Sequence, residues 1–154
     1  MADTYVVERE QRVQGPPAAV LDRIVDFRRW RSWSPWEDAD PQLRRTYDGA
    51  ESGVGAVYEW EGNRKAGKGR MEITEVQPDE SVTIDVQFLK PFKSRSTARF
   101  TVRPEGGASV VRWVMTGPKT LMTKVMGIFT SMDKLIGPDF EKGLERLRAD
   151  VEES

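Results

Sequence analysis

SMDKLIGPDFEKGLERLRADVE, residues 131–152, carries its apolar side chains at Met132, Leu135, Ile136, Phe140, Leu144, Leu147 and Val151. Steps of three and four place them in one stripe along a single helical face. A helix of that length spans roughly 33 Å, about the width of a small domain. Gly137-Pro138 interrupts the stretch, and a proline removes a backbone donor and clashes with the preceding turn. The expected result is a kink, with Gly137 as a cap and Pro138 in a first turn. Asp139 and Glu141 would then face the positive helix end. Gly143, beside the stripe, leaves room for another backbone to approach. Such a helix needs a broad apolar surface to lie on, and the middle of the chain reads as the sheet that supplies it.

Working outward, Tyr5 to Val13 reads as a first strand, with Val7 and Val13 on one side of the alternation and Arg9 and Gln11 between them. Gly15-Pro16-Pro17 stops it. Pro17 suits a first helical position, and Val20, Leu21, Ile24, Val25 and Phe27 follow at helical spacing. A second short helix, Arg28 to Trp33, closes at Ser34-Pro35. Strand candidates then follow at Leu43–Tyr47, Val54–Trp60, Gly69–Val76, Ser81–Leu89, Ser94–Val102 and Ser109–Thr116, each ended by Gly, Pro, Asn or Asp turn signals. Hairpin-length turns between them predict an antiparallel meander. Leu121, Met122, Val125, Met126 and Phe129 return to helical spacing just before the last helix. The expected class is α+β, one domain over residues 1–154, with helices on one face of an antiparallel sheet. A strongly twisted sheet of this size curls, and a helix in its concavity would leave space beneath it. Side chains could equally fill that space.

Composition narrows the chemistry. The 154 residues suffice for one core that buries roughly 70% of the unfolded surface. Twenty-four basic and 25 acidic residues leave a net charge of −1, so nothing electrostatic points to nucleic acid. No stretch approaches the ~20 apolar residues of a membrane span, and MADTYVVERE lacks the apolar core of a signal peptide, so the expected location is cytoplasmic. There is no cysteine and no histidine. That excludes disulfides, Ser-His-Asp and Cys-His mechanisms, and the usual zinc sites. No clustered Asp/Glu loop invites another metal, and no cofactor is implied.

Four segments, GPPAAVLDRIVDFRRWRSWSPW (15–36), GVGAVYEWEGN (53–63), GKGRMEITEVQPDE (67–80) and MDKLIGPDFEKGLERL (132–147), resemble bacterial members of the START-like (SRPBCC) superfamily. The closer likeness is to its polyketide cyclase/dehydrase-type branch, and it covers nearly the whole chain. The resemblance implies a helix-grip fold, in which a curved seven-stranded antiparallel sheet grips the C-terminal helix over a cavity that often takes an apolar ligand. The superfamily includes lipid and hormone carriers, aromatic polyketide cyclases and co-chaperone-like domains. The matched segments are those that build the fold, and none is a catalytic signature.

Candidate residues follow from this frame. Trp30, Trp33 and Trp36 recur every three residues after Phe27. They can anchor the helical corner to the sheet, line a pocket mouth, or stack on a flat ligand. The resemblance puts Trp33 and Trp36 near the cavity entrance. Alternation sets Tyr58 with Trp60, Met71 with Ile73, and Ile84 with Val86 and Phe88. It likewise sets Ala98 with Phe100 and Val102, and Val111 with Trp113 and Met115, all on the expected concave face. Phe140 faces them from the helix, and Met126 and Phe129 from the preceding segment. Tyr58 needs a hydrogen-bond partner if buried, either a ligand oxygen or a backbone group. Arg9, if inward, needs a carboxylate such as Glu75 or Asp85, or an anionic ligand; on an exposed strand it is simply solvated. The 121–129 segment, flanked by Lys119 and Lys124, reads as a docked amphipathic helix, a dimer contact, a lid, or a membrane-surface contact.

Three functions fit. The first is a non-catalytic module binding a small hydrophobic or aromatic molecule, with Tyr58 and Arg9 orienting it. The second is a cyclase or dehydratase, which needs an acid and a base inside the cavity; the alternation does not place two such groups there. The third is an interaction domain or homodimer that uses residues 121–129.

Overall fold

A computed structural model describes residues 4–37, 40–63, 66–90, 93–118 and 132–153. The expected helix over 121–129, with Met126 and Phe129, lies outside the described residues, as do the side chains of Met132 and Leu135. In chain order the elements are β1 (Thr4–Val13), α1 (Pro17–Leu21) and a 3-10 helix (Phe27–Ser32). Strands β2 (Arg44–Gly49), β3 (Ala56–Glu61), β4 (Lys68–Gln77), β5 (Ser81–Lys90), β6 (Ser94–Glu105) and β7 (Ala108–Pro118) follow, and then α2 (Met132–Glu152).

The seven strands form one curved antiparallel sheet in the order β1-β7-β6-β5-β4-β3-β2. Hairpin turns keep β2 to β7 in sequence order, as short connections dictate. β1 then pairs along the free side of β7, from Thr4 opposite Pro118 to Val13 opposite Ser109. Helix α2 packs chiefly along β1. The expected inward sets converge on one core, although a register shift between Ile73 and Glu75 breaks the alternation on β4.

Pro17 starts α1, but the helix stops at Leu21 rather than running on to Phe27. A helix this short has little stability of its own. The chain is turned instead by one tertiary and one local bond: the Gly53 N–H donates to the Val25 carbonyl, and the Asp26 carboxylate caps the 3-10 helix by accepting from the Arg28 N–H. Ile24 and Phe27 still reach the core.

In α2 the stripe Phe140, Leu144, Leu147 and Val151 is buried. Each full burial of such a side chain contributes about 1.5–3 kcal/mol. The helix runs through Gly137-Pro138, so Gly137 is not a cap and Pro138 is not in a first turn. Arg9 bears on why residue 137 is a glycine. A Cβ at Gly137 would collide with the Arg9 guanidinium. That guanidinium sits over the bare glycine and bonds Asp133 (Nη1 to Oδ1, 2.7 Å) and Glu141 (Nε to Oε2, 2.7 Å), one turn to either side. Arg9 therefore faces inward with its side chain only 24% exposed, and its partners are on α2. The expected partners are elsewhere: Asp85 pairs with Arg95 on the outer face, and Glu75 is exposed.

Candidate ligand-binding site

Rings pack one part of the space between sheet and helix. Trp113 on β7 stacks on Phe140 of α2 at 3.9 Å and on Phe100 of β6 at 4.8 Å. Trp33 meets Phe100 and Trp113 edge-on at 5.9 and 5.8 Å. Trp33, Phe100, Phe140 and the neighbouring Ile73 are 0% exposed. Each such ring pair adds about 0.5–1.5 kcal/mol beyond its buried area. Gly143 allows this closeness: a Cβ there would lie 2.8 Å from Pro35 Cδ and 3.2 Å from Trp113. What approaches Gly143 is a proline ring and an indole rather than a backbone.

The tryptophan triplet divides between roles. Trp30 and Trp33 donate their indole N–H groups to the Ile24 and Arg23 carbonyls, at 2.9 and 3.0 Å, and pin the helical corner. Trp36 sits at the rim, 38% exposed, with its ring 5.6 Å from Trp113 and 5.9 Å from Phe140.

The other half of the inner face is different. Trp60, Met71 and Phe88, on β3, β4 and β5, are only partly buried, as is Ile136 on α2. Gly69 makes room for the Trp60 indole, which donates to the Ala66 carbonyl (2.9 Å) and meets Phe88 edge-on at 6.0 Å. Tyr58 and Met71 are cross-strand partners, so Tyr58 stands at the boundary of the two halves.

Tyr58 is buried, and its hydroxyl donates to Glu37 Oε1 at 3.0 Å. Glu37 comes from the turn after the 3-10 helix and is itself buried. Its Oε2 accepts from Arg45 Nε at 2.6 Å. Tyr47, beside Tyr58 on β2, stacks on it at 5.4 Å. Burial, with the Glu37 carboxylate next to it, holds the Tyr58 phenol far above the usual tyrosine range, and the same two causes raise Tyr47. The cluster thus presents neutral phenols as hydrogen-bond donors and one carboxylate as acceptor. Among the described residues, the buried Tyr47 hydroxyl and Trp113 indole nitrogen have no hydrogen-bond partner. Further along the inner face, Tyr5 and Ser96 share a buried 2.7 Å bond beside Gly117.

Of the expected site residues, Tyr58, Trp60, Met71 and Phe88 come together around one end of the inner face. Trp33, Ile73, Phe100, Trp113 and Phe140 form the filled half, and Arg9 clasps the helix. Sequence reasoning missed Glu37, Arg45 and Tyr47. The only signal for Tyr47 and Arg45 was their alternation on β2, and Glu37 sits in a turn, where no periodicity applies.

This fold is that of the START-like superfamily, and many solved structures share it, three of which follow. Protein CV1439 from Chromobacterium violaceum is 15% identical with a TM-score of 0.67, covering 96% of this chain and 97% of its own. Ara h 8.0201 is 11% identical with a TM-score of 0.67, covering 98% and 99%. DynU16, from the dynemicin biosynthetic locus, is 16% identical with a TM-score of 0.65, covering 96% of this chain but 47% of its own. No curated protein matches in sequence. The family model described as polyketide cyclase / dehydrase and lipid transport matches residues 4–152, and the chain belongs to that family.

Proposed function

We propose that this protein binds a small hydrophobic or aromatic molecule between the inner face of the sheet and α2, as a single domain. The ligand lies at the end lined by Trp36, Trp60, Met71 and Phe88, with Tyr58 at its polar side. One observation carries the reading. Trp60, Met71 and Phe88, on β3 to β5, point inward yet keep exposed surface, while Trp33, Phe100, Trp113 and Phe140 on the same inner side are at most 2% exposed. Concave, mostly apolar surfaces with a few convergent polar groups are the usual form of small-molecule sites. Membership of a family named for polyketide cyclisation and lipid transport agrees with it.

Native mass spectrometry of the protein as purified, set against its organic-solvent extract, tests the proposal. A co-purifying small molecule is expected, and Met71→Glu should abolish its retention. A protein that carries no such mass and takes up no N-phenyl-1-naphthylamine would overturn the reading.

A further inference from the structure

We infer that Glu37 sets the charge selectivity of this site, admitting ligands whose polar group is a neutral hydroxyl or ketone and excluding carboxylates. The inference rests on the binding reading above. Glu37 is 8% exposed and holds both of its carboxylate oxygens in place, one against the Tyr58 hydroxyl and one against Arg45 Nε. The rest of the Arg45 guanidinium is turned onto backbone, with Nη2 3.3 Å from the Glu37 carbonyl and Nη1 3.4 Å from that of Leu43. Glu37 and Arg45 therefore neutralise each other, and the pair leaves no buried cation for a second carboxylate. An incoming carboxylate would therefore give up its hydration with no free cation in the pair to offset the loss, a cost that a neutral hydroxyl or ketone does not carry. Arg28, whose guanidinium lies 4.8 Å from the centre of the Tyr47 ring, and Arg31 are exposed, so water and salt screen their attraction.

Tyr47 supplies the complementary half. Its side chain is on the inward row with Tyr58 and Met71, and its buried hydroxyl is unpartnered among the described residues. An unmade bond at a buried hydroxyl is costly, and a ligand hydroxyl or ketone oxygen would complete it without adding charge.

Equilibrium dialysis at neutral pH with 2-naphthol and 2-naphthoate separates charge from shape, since the two probes share one ring system. The wild-type protein should bind 2-naphthol at least about tenfold more tightly. Glu37→Gln keeps an acceptor for Tyr58 but leaves the Arg45 charge unbalanced, so the preference should reverse toward 2-naphthoate. Tyr47→Phe, which leaves the Glu37–Arg45 pair intact, should weaken 2-naphthol about 3- to 10-fold and change 2-naphthoate little. Equal binding of the two probes by the wild type, or a ratio that Glu37→Gln leaves unchanged, would overturn the filter while leaving the binding site standing. Should Glu37→Gln fail to fold, an unaltered 2-naphthol affinity in Tyr47→Phe would overturn it instead. Binding of neither probe would overturn the site and the filter together.

Discussion

A glycine inside a helix ordinarily costs about 1 kcal/mol relative to alanine, so Gly137 requires a reason. Two are present. The Arg9 guanidinium lies where its side chain would be, between Asp133 and Glu141. Pro138 follows, and a proline ring presses on the Cβ of the residue before it when that residue is helical. Gly137→Ala is therefore expected to destabilise the protein despite its better helix propensity, and to do so less in an Arg9→Ala background. Urea unfolding of the four-member cycle measures this. Equal losses in both backgrounds would remove Arg9 as a cause and leave Pro138 alone.

At the scale of elements, α2 and the Trp-bearing corner are held by complementary gaps as much as by apolar area. Gly143 lets α2 settle against Pro35 and Trp113, and Gly69 lets Trp60 lie across β4. Gly143→Ala should cost about 1–3 kcal/mol, because an added methyl forces a close-packed contact apart. A melting temperature equal to or above that of the wild type would show that the contact yields freely. Gly69→Val should expel the Trp60 indole from its seat and shift tryptophan emission to the red. An unchanged spectrum would mean that the indole tolerates a β-branched neighbour.

Across the whole molecule the three tyrosines share one property. Tyr5, Tyr47 and Tyr58 are each held above the usual tyrosine pKa, first of all by burial. In the unfolded chain they lose protons near pH 10, while the folded protein retains them. Above that pH the folded state binds more protons, so stability is whole below about pH 10 and falls as pH rises toward the folded pKa values. Each phenol held protonated contributes a loss of about 1.4 kcal/mol per pH unit, with the more exposed Tyr47 contributing least. Tyrosinate absorbance should therefore rise together with loss of the circular dichroism signal. Ionisation near pH 10 in a protein that keeps its full signal would refute this.

The strand segments, the inward residue sets and the C-terminal helix were legible in the sequence because they rest on local periodicity, whereas the place of β1 beside β7 was not. Alternation at two residues assigned Tyr58, Met71, Phe88, Phe100 and Trp113 to one face, and steps of three and four assigned Phe140, Leu144 and Leu147 to one stripe. Each is a short-range property that a buried face imposes on neighbouring positions. Tertiary structure alone decided which carboxylate meets which cation or phenol. Arg9 finds Glu141 across 132 positions, and Tyr58 finds Glu37 across 21. Nothing periodic marks such pairs, because a polar contact depends on where the chain returns in space. The same holds for the division of the inner face into a filled half and a half that keeps exposed surface. That division follows from how closely α2, the corner and the sheet approach one another, and the approach is governed by the sum of the packing rather than by any one segment.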